Sequence, residues 1–192
     1  FFGCNGIIEI KIEEGIEHIG WNSFGACSGL TSITIPGSVT SISDAFDGCF
    51  NLESVTIGKG VTKIGLITFK GCSINSVYYT GDIAGWCGID ELDTLMVHSP
   101  SLYIGGKKIT DKIIIPDGVT SISASAFRNC TELTSITIPD SVTSIGDYAF
   151  SNTGWYNNQP DGMVYAGKVA YKYKGTMSAN TSITIKDGTL GI

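Results

Sequence analysis

Positive charge is scarce in this chain. Twelve of its 192 residues are Lys or Arg, against 18 Asp or Glu, so the net charge is −6 and the pI is near 4.8. The densest basic spot is Lys107-Lys108, which sits in a turn. A surface that neutralises phosphates needs a basic patch. The composition therefore argues against a nucleic-acid partner and against an anionic membrane surface. Long apolar runs are missing too. None reaches the ~18 residues that a membrane-spanning helix needs, so direct membrane insertion by this stretch is not expected. There is no signal-peptide pattern. Histidine is limited to His18 and His98. The G-x-S-x-G, H-E-x-x-H and phosphate-loop patterns are absent. Cys87, Asp90, Asp93 and His98 fall close together, but their spacing fits no zinc site. Asp44, Asp47 and Asp82 do not make a calcium loop. The expectation is no metal, no cofactor, no catalytic residue and no enzyme.

Repetition takes the place of these motifs. Leu30–Cys49 reads LTSITIPGSVTSISDAFDGC, Leu52–Cys72 reads LESVTIGKGVTKIGLITFKGC, and Leu133–Phe150 reads LTSITIPDSVTSIGDYAF. The period is 22 or 23 residues. A fixed period of that size predicts a solenoid, in which each coil stacks only on its neighbours. Each copy opens with alternation: Ile33 and Ile35 face one way and Ser32 and Thr34 the other, the pattern of a half-buried strand. Pro36 ends that strand because it has no N–H to give to a ladder. Val39 and Ile42 then turn inward, and Ala45-Phe46 plugs the end of the coil before Cys49. Coils are expected to begin near Ile7, Leu30, Leu52, Ile74, Thr110, Leu133 and Asn180. The predicted fold is a β-rich, right-handed solenoid of about seven coils, forming a single domain over residues 1–192. Phe1 and Cys4 repeat the spacing of Phe24 and Cys27, and Ile192 falls where Ile42 falls in its coil. That spacing reads as a piece of a longer array, cut at both ends.

Two stretches break the rhythm, at about residues 80–110 and 153–175. Each contains a predicted β-hairpin, one around Gly105-Gly106 and one turning at Ala166-Gly167. Insertions of this kind usually project from one face of an array. They collect Trp86, Tyr103, Trp155, Tyr156, Tyr165, Tyr171 and Tyr173. These rings have two readings: hot spots for a partner, or packing of the inserts onto the solenoid flank.

The motif L-x-x-I-T-I-P-x-x-V-T-S-I…A-F-x-x-C, carried in full by Leu30–Pro36 and Leu133–Pro139, resembles the leucine-rich repeats of BspA-like bacterial surface proteins of the treponemal type. The Trp86-Cys87 stretch, the LYI…KIT hairpin and WYNNQPDG are similar to that family as well. The resemblance implies a leucine-rich-repeat-type stack, a secreted or surface-anchored location, and adhesion to a protein or glycan. It supplies no catalytic residue and no ligand-contact set. Thr153 in the Cys column, Lys186 in the Pro column and Thr189 in the Val column depart from the pattern and predict local loosening.

Cys4, Cys27, Cys49, Cys72 and Cys130 share one column. Stacked at about 4.8 Å, their Cβ atoms lie further apart than the ~3.8 Å a bridge takes. They are expected to be free, buried thiols. Cys87 lies outside the column. It is expected to be free and partly buried, and the one fast-reacting thiol, with metal binding or reactivity as the other reading. Asn129-Cys130-Thr131 and Asn180-Thr181-Ser182 match glycosylation spacing and read as chance.

The outward strand column runs through Thr31, Ser32 and Thr34; Glu53, Ser54 and Thr56; Asn75, Ser76 and Tyr78; Asp111, Lys112 and Ile114; and Thr134, Ser135 and Thr137. Two readings stand side by side. The hydroxyls either bond along the stack and serve the strands alone, or form a flat face that contacts a protein or glycan. The candidate binding residues are these serines, threonines, Glu53, Asn75 and Tyr78, joined by Trp155 and Tyr156. The Val-Thr-Ser-Ile side, with Thr40, Ser41, Thr120 and Ser121, lacks an aromatic anchor and is expected not to bind. The alternative to a binding module is a spacer or stalk within a larger surface protein.

Overall fold

The computed structural model describes residues 1–192. Its strands, numbered in chain order, fall into two series. The longer series is β2 (Ser32–Thr34), β4 (Ser54–Ile57), β6 (Ser76–Tyr79), β7 (Ser101–Ile104), β9 (Asp111–Ile114) and β11 (Leu133–Thr137). The shorter is β1 (His18–Ile19), β3 (Ser41–Ile42), β5 (Lys63–Ile64), β10 (Ser121–Ile122) and β12 (Ser144–Ile145). β8 (Lys107–Lys108) folds back on β7, and β13 (Gly162–Ala166) pairs with β14 (Val169–Lys174) as the second hairpin. Three short helices complete the fold: α1 (Ile83–Cys87), α2 (Asp93–Met96) and α3 (Gly154–Asn157).

Pairing is coil over coil, and parallel. Ser32, Ser54, Ser76 and Ser101 stand in register across β2, β4, β6 and β7, and so do Thr34, Thr56, Tyr78 and Tyr103. On the other side of each coil, His18, Ser41 and Lys63 align across β1, β3 and β5. Like residues therefore stack inside. Ile33, Val55, Val77 and Leu102 form one buried ladder, and Ile35, Ile57, Tyr79 and Ile104 another. Each such aliphatic side chain contributes about 1.5–3 kcal/mol by leaving water. The solenoid expected from the period is what forms.

The stack has about six turns, close to the expected seven. Five of the seven predicted coil starts carry a strand of the longer series. The stretches at Ile7 and Asn180 carry none, although Ile7, Ile10 and Ile12 still pack against the core. A sixth strand, β7, comes from inside the first expected insert.

The Phe column is a ladder in two pieces. Phe1, Phe24, Phe46 and Phe69 stack at centroid spacings of 5.7, 5.5 and 5.6 Å, and Phe127 stacks on Phe150 at 5.6 Å. Between the pieces lies the first insert, and it does not project. Trp86, Cys87, Ile89, Leu92, Leu95 and Met96 are all fully buried. Lys63 of β5 bridges to Asp90, and the Ser123 N–H donates to the Cys87 carbonyl. On the far side, Asn129 Nδ2 donates to the Met96 and Val97 carbonyls at 2.9 and 3.0 Å. The stretch from β6 to β7 is thus a coil of the stack in which two helical turns replace the usual corners. The indole of Trp86 locks it by donating to the Ala126 carbonyl at 2.7 Å. The predicted turn at Gly105-Gly106 follows β7, with φ of +55° and +76°. Two positive φ values in a two-residue loop suit glycine.

The second insert also packs inward. Trp155 and Tyr171 meet Phe150 edge-on at 5.4 and 5.7 Å, and α3 lies along β11. The close approach requires Gly154: a Cβ there would stand 2.8 Å from the Thr131 carbonyl oxygen. Thr153 does not loosen this region. It is fully buried, its hydroxyl donates to the Phe150 carbonyl at 2.8 Å, and the same oxygen caps α3 by accepting from the Tyr156 N–H at 3.0 Å. A residue that can both give and receive is needed where the chain leaves the coil and enters a helix. Beyond β14, Lys186 and Thr189 lie in a stretch without strands, and Ile183 is exposed.

Candidate functional site: the outward strand face

Two broad faces are available, and their hydroxyls behave differently. On the Val-Thr-Ser-Ile side, threonine side chains are tied to the neighbouring coil. Thr40 Oγ1 donates to the Glu17 carbonyl at 3.1 Å, Thr62 Oγ1 to the Thr40 carbonyl at 3.3 Å, and Thr143 Oγ1 to the Thr120 carbonyl at 3.5 Å. The sequence allows such bonding along the stack on the outward face, and there Thr134 Oγ1 donates to the Asp111 carbonyl at 3.0 Å. On the β2-β4-β6-β7 face, the hydroxyls of exposed Ser32 and Thr34 and of half-buried Ser54 and Thr56 have no partner within the chain. Only the margins are tied: Ser76 Oγ donates to Asn75 Oδ1 at 3.0 Å, and Asn75 Nδ2 reaches Glu53 Oε2 at 3.4 Å.

The same face carries an aromatic step. Tyr78 and Tyr103 lie side by side on adjacent strands, with ring centroids 4.6 Å apart and planes 18° from parallel. The in-register neighbour of Tyr78 on its other side is the short Thr56. The ring wall therefore rises beside a floor of small hydroxylated residues, and Tyr78 keeps 37% of its surface exposed. Sequence reasoning included Tyr78 but missed that Tyr103 joins it; the missing signal was the parallel register of β7 on β6. Beyond Tyr103, Lys108 is held by Glu132, its Nζ lying 2.9 and 3.1 Å from the two carboxylate oxygens. Hydrogen bonding to that carboxylate raises the Lys108 pKa.

The remaining candidates divide. Thr31 is exposed beside Ser32. Thr134, Ser135 and Thr137 are exposed on β11, but their sheet is the separate β9–β11 pair, with a register shift at Leu133/Ser135. Asp111, Lys112 and Ile114 on β9 are exposed beside them. Trp155 is half-buried against Phe150. Tyr156 is half-buried, meets Tyr171 edge-on at 6.0 Å and lies 5.9 Å from Lys174 Nζ. Lys174 in turn donates to the Asn157 and Gln159 carbonyls, fastening α3 to the hairpin. The structure places neither ring with the β2-β4-β6-β7 face.

All six cysteines are free. Cys27, Cys49 and Cys72 each donate to the carbonyl of a Phe from the preceding coil, Phe1, Phe24 and Phe46, at 3.1–3.3 Å. Two expectations are corrected. Cys4 is exposed. Cys87 is fully buried inside the helical coil, and loss of solvent pushes its pKa up to about 12, so it is not a reactive thiol. Burial likewise pushes Cys72 and Cys130 up to about 12. No group of three or more His, Cys, Asp or Glu side chains is placed to hold a metal ion. No helix is long and apolar enough to cross a membrane.

Comparison with known proteins places these features in a family. No curated protein matches the chain. Among solved structures, a leucine rich cell surface protein from Faecalibacterium prausnitzii A2-165 is 31% identical, with 75% of this chain and 37% of that one covered and a TM-score of 0.39. A leucine-rich repeat protein from Bacteroides ovatus ATCC 8483 is 27% identical, with 73% and 33% covered and a TM-score of 0.40. The Treponema pallidum leucine-rich repeat protein is 19% identical, with 78% and 76% covered and a TM-score of 0.40. The chain thus spans about a third of the length of the Bacteroides and Faecalibacterium proteins. The family description "BspA type Leucine rich repeat region" matches six copies, over residues 1–86 and 105–186. With its ladders of Ile, Phe and Cys repeating at that period, the chain belongs to the BspA-type leucine-rich-repeat family.

Proposed function

We propose that this chain is a non-catalytic binding module, displayed outside the cell, that contacts a protein or glycan through the β2-β4-β6-β7 face. One observation carries the reading. On that face Ser32, Thr34, Ser54 and Thr56 leave their hydroxyls unpaired, whereas Thr40, Thr62 and Thr143 on the opposite side spend theirs on the adjacent coil. Free hydroxyls beside an exposed ring form a surface with both hydrogen-bonding and apolar capacity, the mixture found at contact surfaces. The description of the Faecalibacterium relative as a cell surface protein supports the extracellular location.

A spacer or stalk is the second reading, favoured by the inward packing of both inserts, which removes most of their aromatics from use as anchors. A binding screen separates the two. The chain is immobilised and exposed to extracellular-matrix proteins and to neutral and acidic glycans. The module reading expects a ligand whose binding is lost in the Thr34→Lys, Thr56→Lys double variant and kept in the Thr40→Lys, Thr120→Lys variant. Loss only in the second variant moves the site to the opposite face. A chain that binds nothing in the screen is a spacer.

A further inference from the structure

The step at Tyr78 has a shape and a charge that select a ligand chemistry. Tyr103 covers one face of the Tyr78 ring at 4.6 Å, while the other face looks out over Thr56 and, one strand further, Thr34. A phenol ring reaches several ångströms beyond a threonine side chain, so the ring is a wall and Thr56, Thr34, Ser54 and Ser32 are its floor. Charge is missing from both. The chain as a whole carries −6, yet Ser32, Thr34, Ser54, Thr56, Ser76, Tyr78, Ser101 and Tyr103 include no ionisable group that is charged at neutral pH. The charges around it are Glu53 at the margin, the Lys11–Glu13 pair at 2.6 Å on the coil before Thr34, and the Lys108–Glu132 pair at 2.9 Å; within each pair the two charges neutralise each other. A charged ligand would lose water here without finding a counter-charge.

We propose that this step is a binding site for a short neutral oligosaccharide, with one sugar ring set against the open face of Tyr78 and its hydroxyls bonded to Thr56 and Thr34. The inference rests on the binding-module reading and names the ligand class for that face. A pyranose has an apolar C–H face and a rim of hydroxyls, and the site offers the complement of each. The C–H face meets the negative face of the ring quadrupole. The hydroxyl rim meets side chains that can both donate and accept, and none of these four hydroxyls has a competing partner in the protein. The strand spacing of about 4.8 Å is close to the length of one sugar unit along a chain. A second unit then falls over Thr34 as the first stands over Thr56. The first insert makes the site possible: β7 pairs in register with β6 and brings Tyr103 against the back of Tyr78, which holds the ring upright.

The test is calorimetric titration of the chain with cellotetraose, xylotetraose, mannotriose and chitotriose. A sulfated disaccharide and a proline-rich peptide serve as competitors of different chemistry. At least one neutral oligosaccharide is expected to bind. Tyr78→Ala should weaken it about tenfold, a loss of ~1.4 kcal/mol, and Tyr78→Phe should keep it. Thr56→Tyr, which extends the aromatic row and fills the step, should abolish binding while leaving the melting curve intact; this variant guards against Tyr78→Ala acting through the fold. The assignment is overturned if none of the four sugars binds, if Thr56→Tyr leaves binding unchanged, or if only the sulfated sugar or the peptide binds. A matrix protein that still binds through Thr34 and Thr56 while all four sugars fail would overturn this assignment and leave the module reading standing.

Discussion

Truncation of Phe46 to alanine is the sharpest test of the ladder. The ring is fully buried and lies between Phe24 at 5.5 Å and Phe69 at 5.6 Å, the latter only 2° from parallel. Removing it forfeits the transfer energy of the ring and opens a cavity, which together cost about 3–5 kcal/mol. Two stacked pairs disappear at once, each worth about 0.5–1.5 kcal/mol beyond burial. The cavity closes poorly, because the rings above and below are held by their own coils. A domain of this kind has about 5–15 kcal/mol of stability in total, so the variant should lose a large share of it. Urea unfolding, followed by tryptophan fluorescence and far-UV circular dichroism, gives the measurement. The two probes also report whether the array unfolds as one unit, since repeat arrays can break cooperativity. Thr34→Ala, on the exposed side of the same coil, is the control and should shift stability by no more than about 0.5 kcal/mol. A cost for Phe46→Ala below about 1 kcal/mol, or equal midpoints for the two variants, would refute the claim that the ring column carries the stack.

In native protein a thiol reagent should label one cysteine rapidly, Cys4, and six after denaturation; rapid labelling of Cys87 would contradict its burial. Cys72, Cys87 and Cys130 keep their protons to about pH 12 when folded, while a free thiol titrates near 8.5. The unfolded chain therefore releases these protons first, and stability should be complete below about pH 8.5 and fall as pH rises towards 12. Urea midpoints at pH 8 and pH 10.5 measure the drop, which should shrink in a Cys72→Ala, Cys130→Ala variant. Thr153→Val preserves shape but deletes both the bond to Phe150 and the cap of α3. It should cost about 1–2 kcal/mol, and a neutral result in urea melts would show the cap to be idle. Trp86→Phe leaves the Ala126 carbonyl unpaired in the core. It should cost about 1–3 kcal/mol for that group alone, and unchanged thermal unfolding would remove the indole from its locking role.

Much of this fold is legible in the sequence because its two controlling patterns are local. Alternation across Leu30–Ile35 sets the faces of β2, and the 22–23-residue period sets what lies above it. The first insert is harder to read for a physical reason. α1 has five residues and α2 four, too few for a 3.6-residue periodicity to register. Its Trp86, Leu92, Leu95 and Met96 fill the core with side chains that match no column. Both hairpins are legible from their turn glycines. The candidate face was visible as a row of hydroxyls, but their freedom from bonding was not. That depends on whether each oxygen reaches the next coil's carbonyl, a matter of strand geometry and not of residue type.

The helical coil between Phe69 and Phe127 bears on how such arrays change over generations. Its interior shares almost nothing with its neighbours, yet Asp90 and Cys87 meet adjoining backbone on the short-strand side and Met96 and Val97 receive Asn129 at the corner. What the stack demands of a member is therefore a pair of compatible rims. A segment that presents those rims fits the stack whatever its interior, while its own partners on the next coil, Ser125 and Asn129, are matched to it side chain by side chain. Length and surface chemistry in this architecture can then be inherited as separate traits.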